Sequence, residues 1–310
     1  MIRRLFTSVL LSIVAGLGAV AQMPATELKG DVRLIVANDL GRNGYHEQKP
    51  IADLMGNVSD AVGADAILAL GDTHHYMGVG SVNDPLWMTN YELIYSHPEL
   101  QIAWYPLLGN HEYRGNTQAV IDYSGVSRRW VMPSRFYTRI FNDGDTRVKV
   151  VFIDTTPLID KYHGKKDKYP DIDQQDASAQ LQWLESELSC DDKADWVVVV
   201  GHHPIYAFTD KDNSERADMQ TKVDPALRKY KVDMYVCGHI HNFQHIQKNG
   251  IDYVVNTSGS LSRTKVKPID GTVFCDGGPG FSLITATPKS LTLSMIDRTG
   301  NVIHQVSRTK

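Results

Sequence analysis

Along this chain, short apolar runs keep ending in glycine and then in side chains that bind protons or cations. The clearest is residues 66–76, where five apolar positions stop at Gly71 and Asp72 and are followed by Thr73, His74, His75 and Tyr76. An unbroken apolar run of that length predicts a buried strand. Its polar end predicts a side chain delivered to the C-terminal edge of a sheet, where α/β folds bind their ligands. The pattern recurs four times. Residues 32–37 lead into Asn38-Asp39-Leu40-Gly41, 102–108 into Gly109-Asn110-His111-Glu112, 196–200 into Gly201-His202-His203-Pro204, and 232–237 into Gly238-His239-Ile240-His241.

Between these runs the period changes. Residues 50–62 place Ile51, Leu54, Met55, Val58 and Val62 on one helical stripe, 85–95 read as a second helix, and 177–190 carry Leu181, Leu184 and Leu188 at helical spacing. Residues 135–141 and 147–153 read as paired strands about the turn Asn142-Asp143-Gly144-Asp145. The last third is mostly strand, at 253–256, 281–287, 291–296 and 302–306. Alternating β and α followed by consecutive strands predicts an α/β fold of two packed sheets with helices outside.

The N-terminus belongs to a different class. Arg3 and Arg4 precede an apolar run over residues 9–20 that is too short to span a bilayer, and Ala19-Val20-Ala21 offers a small-residue cleavage site. Residues 1–21 are therefore expected to be a secretory leader, leaving 22–310 as one exported domain without a stable membrane anchor. Loss of the leader removes two basic and no acidic residues, so the formal charge moves from −4 to −6. That balance gives no support to nucleic-acid binding, which wants a basic surface. The three cysteines, Cys190, Cys237 and Cys275, show no metal-binding spacing and leave room for one disulfide in an oxidising compartment. Cys237, inside an apolar run, reads as a small buried hydrophobe. The lysine- and aspartate-rich stretch 160–176 reads as a solvated surface loop, with a gating lid as the other reading.

Five strand ends carrying carboxylates, imidazoles and an amide are the donor set that a two-metal hydrolytic site requires. In order, Asp39-x-Gly41, Gly71-Asp72, Gly109-Asn110-His111-Glu112, Gly201-His202 and Gly238-His239-x-His241 resemble the motifs of the calcineurin-like metallophosphatase superfamily. Within it the chain is similar to the purple acid phosphatases of the tartrate-resistant type. Tyr123-Ser124, Ser127-Arg128-Arg129-Trp130 and Pro133-Ser134-Arg135-Phe136-Tyr137 carry the likeness beyond the ligands.

The resemblance implies a four-layer αββα sandwich holding two metal ions, with Fe, Mn or Zn expected, and a small phosphorylated substrate. It assigns Asp39 and His241 to the first metal, Asn110, His202 and His239 to the second, and Asp72 to both. It also implies phosphomonoester hydrolysis by a metal-activated water, with His111 contacting phosphate and protonating the leaving alkoxide. Glu112 is expected either to orient His111 or to face solvent. The chain departs from the family where the purple enzymes carry a tyrosinate, three residues after the bridging aspartate. That position is His75, and Tyr76 follows it. One residue along an extended segment turns the side chain to the other face, so His75 is the expected ligand rather than Tyr76. The second substrate-side histidine of the tartrate-resistant type is missing, and Lys211, His203 or His74 could stand in for it. A phosphodiesterase, a nucleotide-directed hydrolase and a non-catalytic metal- or phosphate-binding scaffold remain open on the same motifs.

Overall fold

The computed structural model describes residues 23–310, so the leader expected at residues 1–21 lies outside the described residues. The apolar runs form β1 (Val32–Ala37), β2 (Ala66–Ala69), β3 (Ala103–Pro106), the hairpin β4 (Tyr137–Asp143) and β5 (Thr146–Phe152), β6 (Trp196–Val200) and β7 (Met234–Cys237). The C-terminal third adds β8 (Phe243–Lys248), β9 (Ile251–Val255), β10 (Thr272–Asp276), β11 (Gly280–Thr287), β12 (Ser290–Asp297) and β13 (Val302–Thr309). The helices are α1 (Gln48–Val62), α2 (Thr117–Asp122), α3 (Ala177–Ser189), α4 (Ser214–Lys222) and α5 (Asp224–Lys229).

The strands build two mixed sheets, ordered β13-β12-β11-β1-β2-β3 and β10-β8-β9-β7-β6-β5-β4. β1, β2 and β3 are mutually parallel, with Ala37 beside Ala69 and Ala69 beside Pro106, so their three polar ends emerge together at one edge. β5, β6 and β7 are likewise parallel, which brings the ends of β6 and β7 together. Every residue of β2, β7 and β9 is buried, the expected state of strands covered on both faces. Hydrogen bonds cross between the sheets, from Asn256 Nδ2 to the Val36 carbonyl at 3.1 Å and from Trp196 Nε1 to the Thr287 carbonyl at 2.7 Å. α1 lies on the first sheet with Ile51, Met55, Val58 and Val62 buried, and stops at Gly63, whose φ of 67° only glycine adopts readily. α3 lies against β5, where Gln180 exchanges hydrogen bonds with the Asp154 backbone. The layering is helix, sheet, sheet, helix.

Some expectations change. Residues 85–95 do not make a regular helix. They form a single wide turn at Met88–Glu92 inside an aromatic cluster, where Trp87 stacks on Tyr123 at 3.5 Å and Tyr91 meets Trp104 and Trp130 edge-on. Ring packing, rather than an amphipathic stripe, fixes that backbone. The three cysteines are unpaired, and Cys237 is buried. The 160–176 stretch is not simply solvated: Tyr162, Tyr169 and Ile172 are buried, and the segment forms part of the wall of the cleft described below.

Candidate metal centre

The parallel strand ends converge because their backbones turn sharply just past the sheet edge. Asp39 and Asp72 have φ of 52° and 53°, and His239 and His241 have φ of 72° and 60°. Non-glycine residues in this left-handed region cost about 1 kcal/mol or more each, and such strain collects where side chains must be aimed. The motif glycines make room for the convergence. A Cβ on Gly109 would overlap the Asp72 carboxylate, and one on Gly238 would overlap Asn38 and crowd Asp39.

Asp39 and Asp72 lie at the centre, both buried. Asp39 Oδ1 is 3.1 Å from His241 Nε2 and 4.0 Å from His75 Nε2, while Asp72 Oδ2 is 3.4 Å from His75 Nε2 and 3.2 Å from His202 Nε2. His239 Nδ1 is 3.3 Å from His202 Nε2. Three of the imidazoles are aimed by a bond at the far ring nitrogen. His202 Nδ1 donates to the Leu70 carbonyl at 2.9 Å, His241 Nδ1 to the Leu261 carbonyl at 2.5 Å, and His239 Nε2 to Glu215 Oε2 at 3.0 Å. The other nitrogen of His241 faces Asp39 and that of His202 faces Asp72, while His239 Nδ1 faces His202 Nε2, and bonds at the far nitrogen are how outer carboxylates and carbonyls orient metal-binding histidines.

Among the buried atoms, Asn110 Oδ1 and both ring nitrogens of His75 have no hydrogen-bond partner, and Asp39 Oδ1 has only its ion-pair contact with His241. Buried polar atoms are rarely left unsatisfied, and these are the atoms the motifs assign to cations. Carboxylate, imidazole and amide donors together suit borderline divalent ions. Charge in the cation-free protein fits the same picture. Burial alone would raise Asp39, but the His241 imidazole beside it holds the carboxyl well below its usual range. Burial likewise opposes ionisation of Asp72, and His202 and His111 reverse that, keeping it strongly acidic. Burial disfavours the His202 imidazolium, yet Asp72 draws its pKa up to about 10. The site is an electronegative well that holds protons until cations displace them.

A family model of calcineurin-like phosphoesterases matches residues 32–243. The chain belongs to that family. The tartrate-resistant acid phosphatase type 5 of Oryctolagus cuniculus is 32% identical over 90% of this chain and 91% of its own. Purple acid phosphatase 7 of Arabidopsis thaliana is 31% identical over 91% and 87%. Among solved structures, the GAP50 anchor of the Plasmodium inner membrane complex superimposes with a TM-score of 0.77 at 24% identity, covering 90% of this chain and 88% of that one, a likeness of fold. The metallophosphatase fold and a dinuclear metal centre come with the family.

In this phosphoesterase the donors open onto a cleft of about 530 Å³ lined by Asp72, His75, Asn110, His111, His239 and His241 among others. His75 is buried between the two aspartates, whereas Tyr76 is 60% exposed at the rim with the Arg42 guanidinium 4.7 Å above its ring. His111 donates Nδ1 to the Tyr76 carbonyl at 2.8 Å and holds Nε2 3.8 Å from Asp72 Oδ2. Burial pushes the His111 imidazolium down to about 3, so the ring is neutral and its Nε2 bare.

Three expectations need correction. Glu112 neither orients His111 nor faces solvent. It is buried and accepts the backbone N–H groups of Asp72 at 2.8 Å, Gly109 at 2.7 Å and His74 at 3.0 Å, pinning two metal-site loops together. His203 does not line the cleft: Thr155 Oγ1 and the Tyr162 hydroxyl occupy its two nitrogens at 2.8 and 3.0 Å. His74 is also buried, against Trp87, with Nδ1 3.4 Å from Asn90. Lys211 does line the cleft, its Nζ 2.9 Å from His239 Nε2. Sequence reasoning missed Glu215, which braces His239 and ion-pairs with Lys161 at 2.6 Å. Its only signal is an acidic residue shortly after the His202 segment, inside a polar run without periodicity.

Proposed function

We propose that this phosphoesterase is a phosphate monoester hydrolase, in which Asp39, His75 and His241 hold one cation, Asn110, His202 and His239 hold the other, and Asp72 serves both. The observation that carries the reading is the cluster in which His75, His202 and His241 lie within 3.1–4.0 Å of the buried Asp39 and Asp72 carboxylates, with His75 and the Asn110 amide oxygen left without hydrogen-bond partners. When bound, two such cations polarise the phosphoryl group and bring the pKa of water toward neutrality. The protein residues supply position and proton handling. The Tyr76 carbonyl fixes the His111 tautomer, so a bare Nε2 meets the cleft. His111 relays the proton of a monoanionic phosphate ester to the leaving alkoxide, with the Asp72 carboxylate 3.8 Å away offsetting the transient positive charge. The proton therefore arrives with the substrate, which favours turnover below about pH 6, where phosphate monoesters keep one proton.

The test compares the metal-loaded protein on an aryl phosphate monoester and the matching diester. A monoester preference in kcat/KM supports the reading, and a diester preference of about tenfold or more would defeat it. We also propose that residues 1–21 direct export. N-terminal sequencing of the mature protein should begin at Gln22, and an intact N-terminus would remove the leader. Among the described residues no helix is long and apolar enough to cross a membrane.

A further inference from the structure

The chain is acidic overall, yet its cleft is walled with cations. Two of them are engaged: Lys161 pairs with Glu215, and Lys211 sits on the His239 ring that Glu215 also holds. The other cations in the wall are Arg42, Arg114, Lys165, Lys168 and Arg263, and among the described residues none has a carboxylate partner. Asp212, the nearby acid in the same wall, accepts the Ser214 backbone N–H at 2.9 Å instead.

Two of these side chains are held in place. Arg42 is only 8% exposed, its guanidinium rests on the Tyr76 ring, and its Nε has no hydrogen-bond partner. Arg114 donates Nη1 to the Tyr76 carbonyl at 3.2 Å, the same oxygen that fixes His111, and its Nε is likewise buried without a partner. A guanidinium held in a cleft wall without a carboxylate partner is costly unless an anion completes it. One monoester does not supply enough charge. Two divalent cations against Asp39 and Asp72 leave two positive charges, which even a phosphate dianion only cancels and the monoanion covers by half, so the wall cations remain unmatched.

We propose that these cations form a second anion subsite beside the reacting phosphate, so that the preferred substrate is a small phosphate ester carrying a second phosphoryl group. This rests on the hydrolase reading above and specifies its substrate class. Arg42 and Arg114, fixed through Tyr76, offer directed donors to phosphoryl oxygens. Lys165 and Lys168, on an exposed loop, add charge that adapts to the distance between the two phosphates.

The experiment measures kcat/KM of the metal-loaded protein for fructose 1,6-bisphosphate against fructose 6-phosphate and for adenosine 3′,5′-bisphosphate against AMP. Binding of each to the same samples is measured by calorimetry. At low ionic strength at least one pair should favour the doubly phosphorylated member by about tenfold or more, and the preference should shrink at high salt. It should collapse in Arg42→Gln and in the double variant Lys165→Ala/Lys168→Ala, whose exposed positions leave folding intact. Turnover with equal constants for both members of both pairs would overturn the subsite and leave the hydrolase reading standing. So would a preference that survives both variants. No turnover, with tighter binding of the doubly phosphorylated ligand that the variants abolish, would support the subsite and sink the hydrolase reading. No turnover and equal binding would overturn both.

Discussion

The two halves of the proposed metal centre are braced differently. In the half built from Asn110, His202 and His239, both imidazoles are tied from behind. His202 bonds to the Leu70 carbonyl, and His239 to the charged carboxylate of Glu215, itself held by Tyr162 and Lys161. In the half built from Asp39, His75 and His241, only His241 is tied, to a neutral carbonyl, and His75 has no hydrogen bond at either nitrogen. A carboxylate behind a histidine raises its basicity and fixes its rotamer. The second half is therefore preorganised by its surroundings, and the first leaves its character to one ring.

Removing what both halves share should have the largest effect. Asp72→Ala takes away the carboxylate lying against His75 and His202, and should cut kcat/KM by more than about 100-fold while dropping metal content below two ions per chain. Retention of two ions and of activity would show that Asp72 joins nothing. The next experiment tests the asymmetry itself. Glu215→Gln should weaken one of the two ions by roughly 10–100-fold and leave the other nearly unchanged, read by stepwise metal titration. Equal weakening of both ions would mean that the two halves are not independently braced.

The loosely held ring yields a smaller effect on rate but a clear spectroscopic one. With iron bound, the native protein should show no strong visible tyrosinate band. His75→Tyr should acquire one, with activity changing by no more than about tenfold because one competent donor replaces another. A strong band in the native protein would bring Tyr76 to the iron and displace His75 from the first half.

Much of this was legible in sequence because the chemistry sits at the ends of strands that are buried on both faces. β1, β2, β6 and β7 announce themselves as apolar runs, and the residues that follow them are placed by sheet geometry alone. The parallel neighbours then fix which ends meet. Where burial is achieved with polar residues, the periodic signal disappears. β8 buries Gln244 and His245 alongside Phe243 and Ile246, β10 is a partly exposed edge strand, and neither stands among the strands read from the sequence. The same blindness hid the outer layer of the site. Glu112 reads as a neighbour of His111 along the chain, yet its side chain turns back to bind three N–H groups. Glu215 and Arg42 are buried charges in polar stretches, and only tertiary structure says what they face. His74 and His203 carry the right chemistry at adjacent positions, but a neighbour on a turning backbone points into the core.

The smallest expected effect concerns what keeps the carboxylates of both halves charged. Asp154 follows β5 at the edge of the second sheet where β6 and β7 also end, and is as buried as Asp39 and Asp72, but it receives the Tyr113 hydroxyl rather than a ring of imidazoles. Burial dominates there and pushes its pKa up to about 7. A raised folded-state value makes the group's contribution to stability complete below about pH 3.8 and progressively lost as pH rises toward 7, since ionisation then favours the unfolded chain. Asp154→Asn keeps an acceptor for Tyr113 and cannot ionise. Its melting temperature relative to the native protein should therefore climb by roughly 2–6 °C between pH 4.5 and pH 7.5, in metal-free samples where the centre does not contribute. A difference independent of pH would mean that burial at this edge does not by itself suppress ionisation. In that case the acidity of Asp39 and Asp72 would owe less to their histidines than the contrast with Asp154 implies.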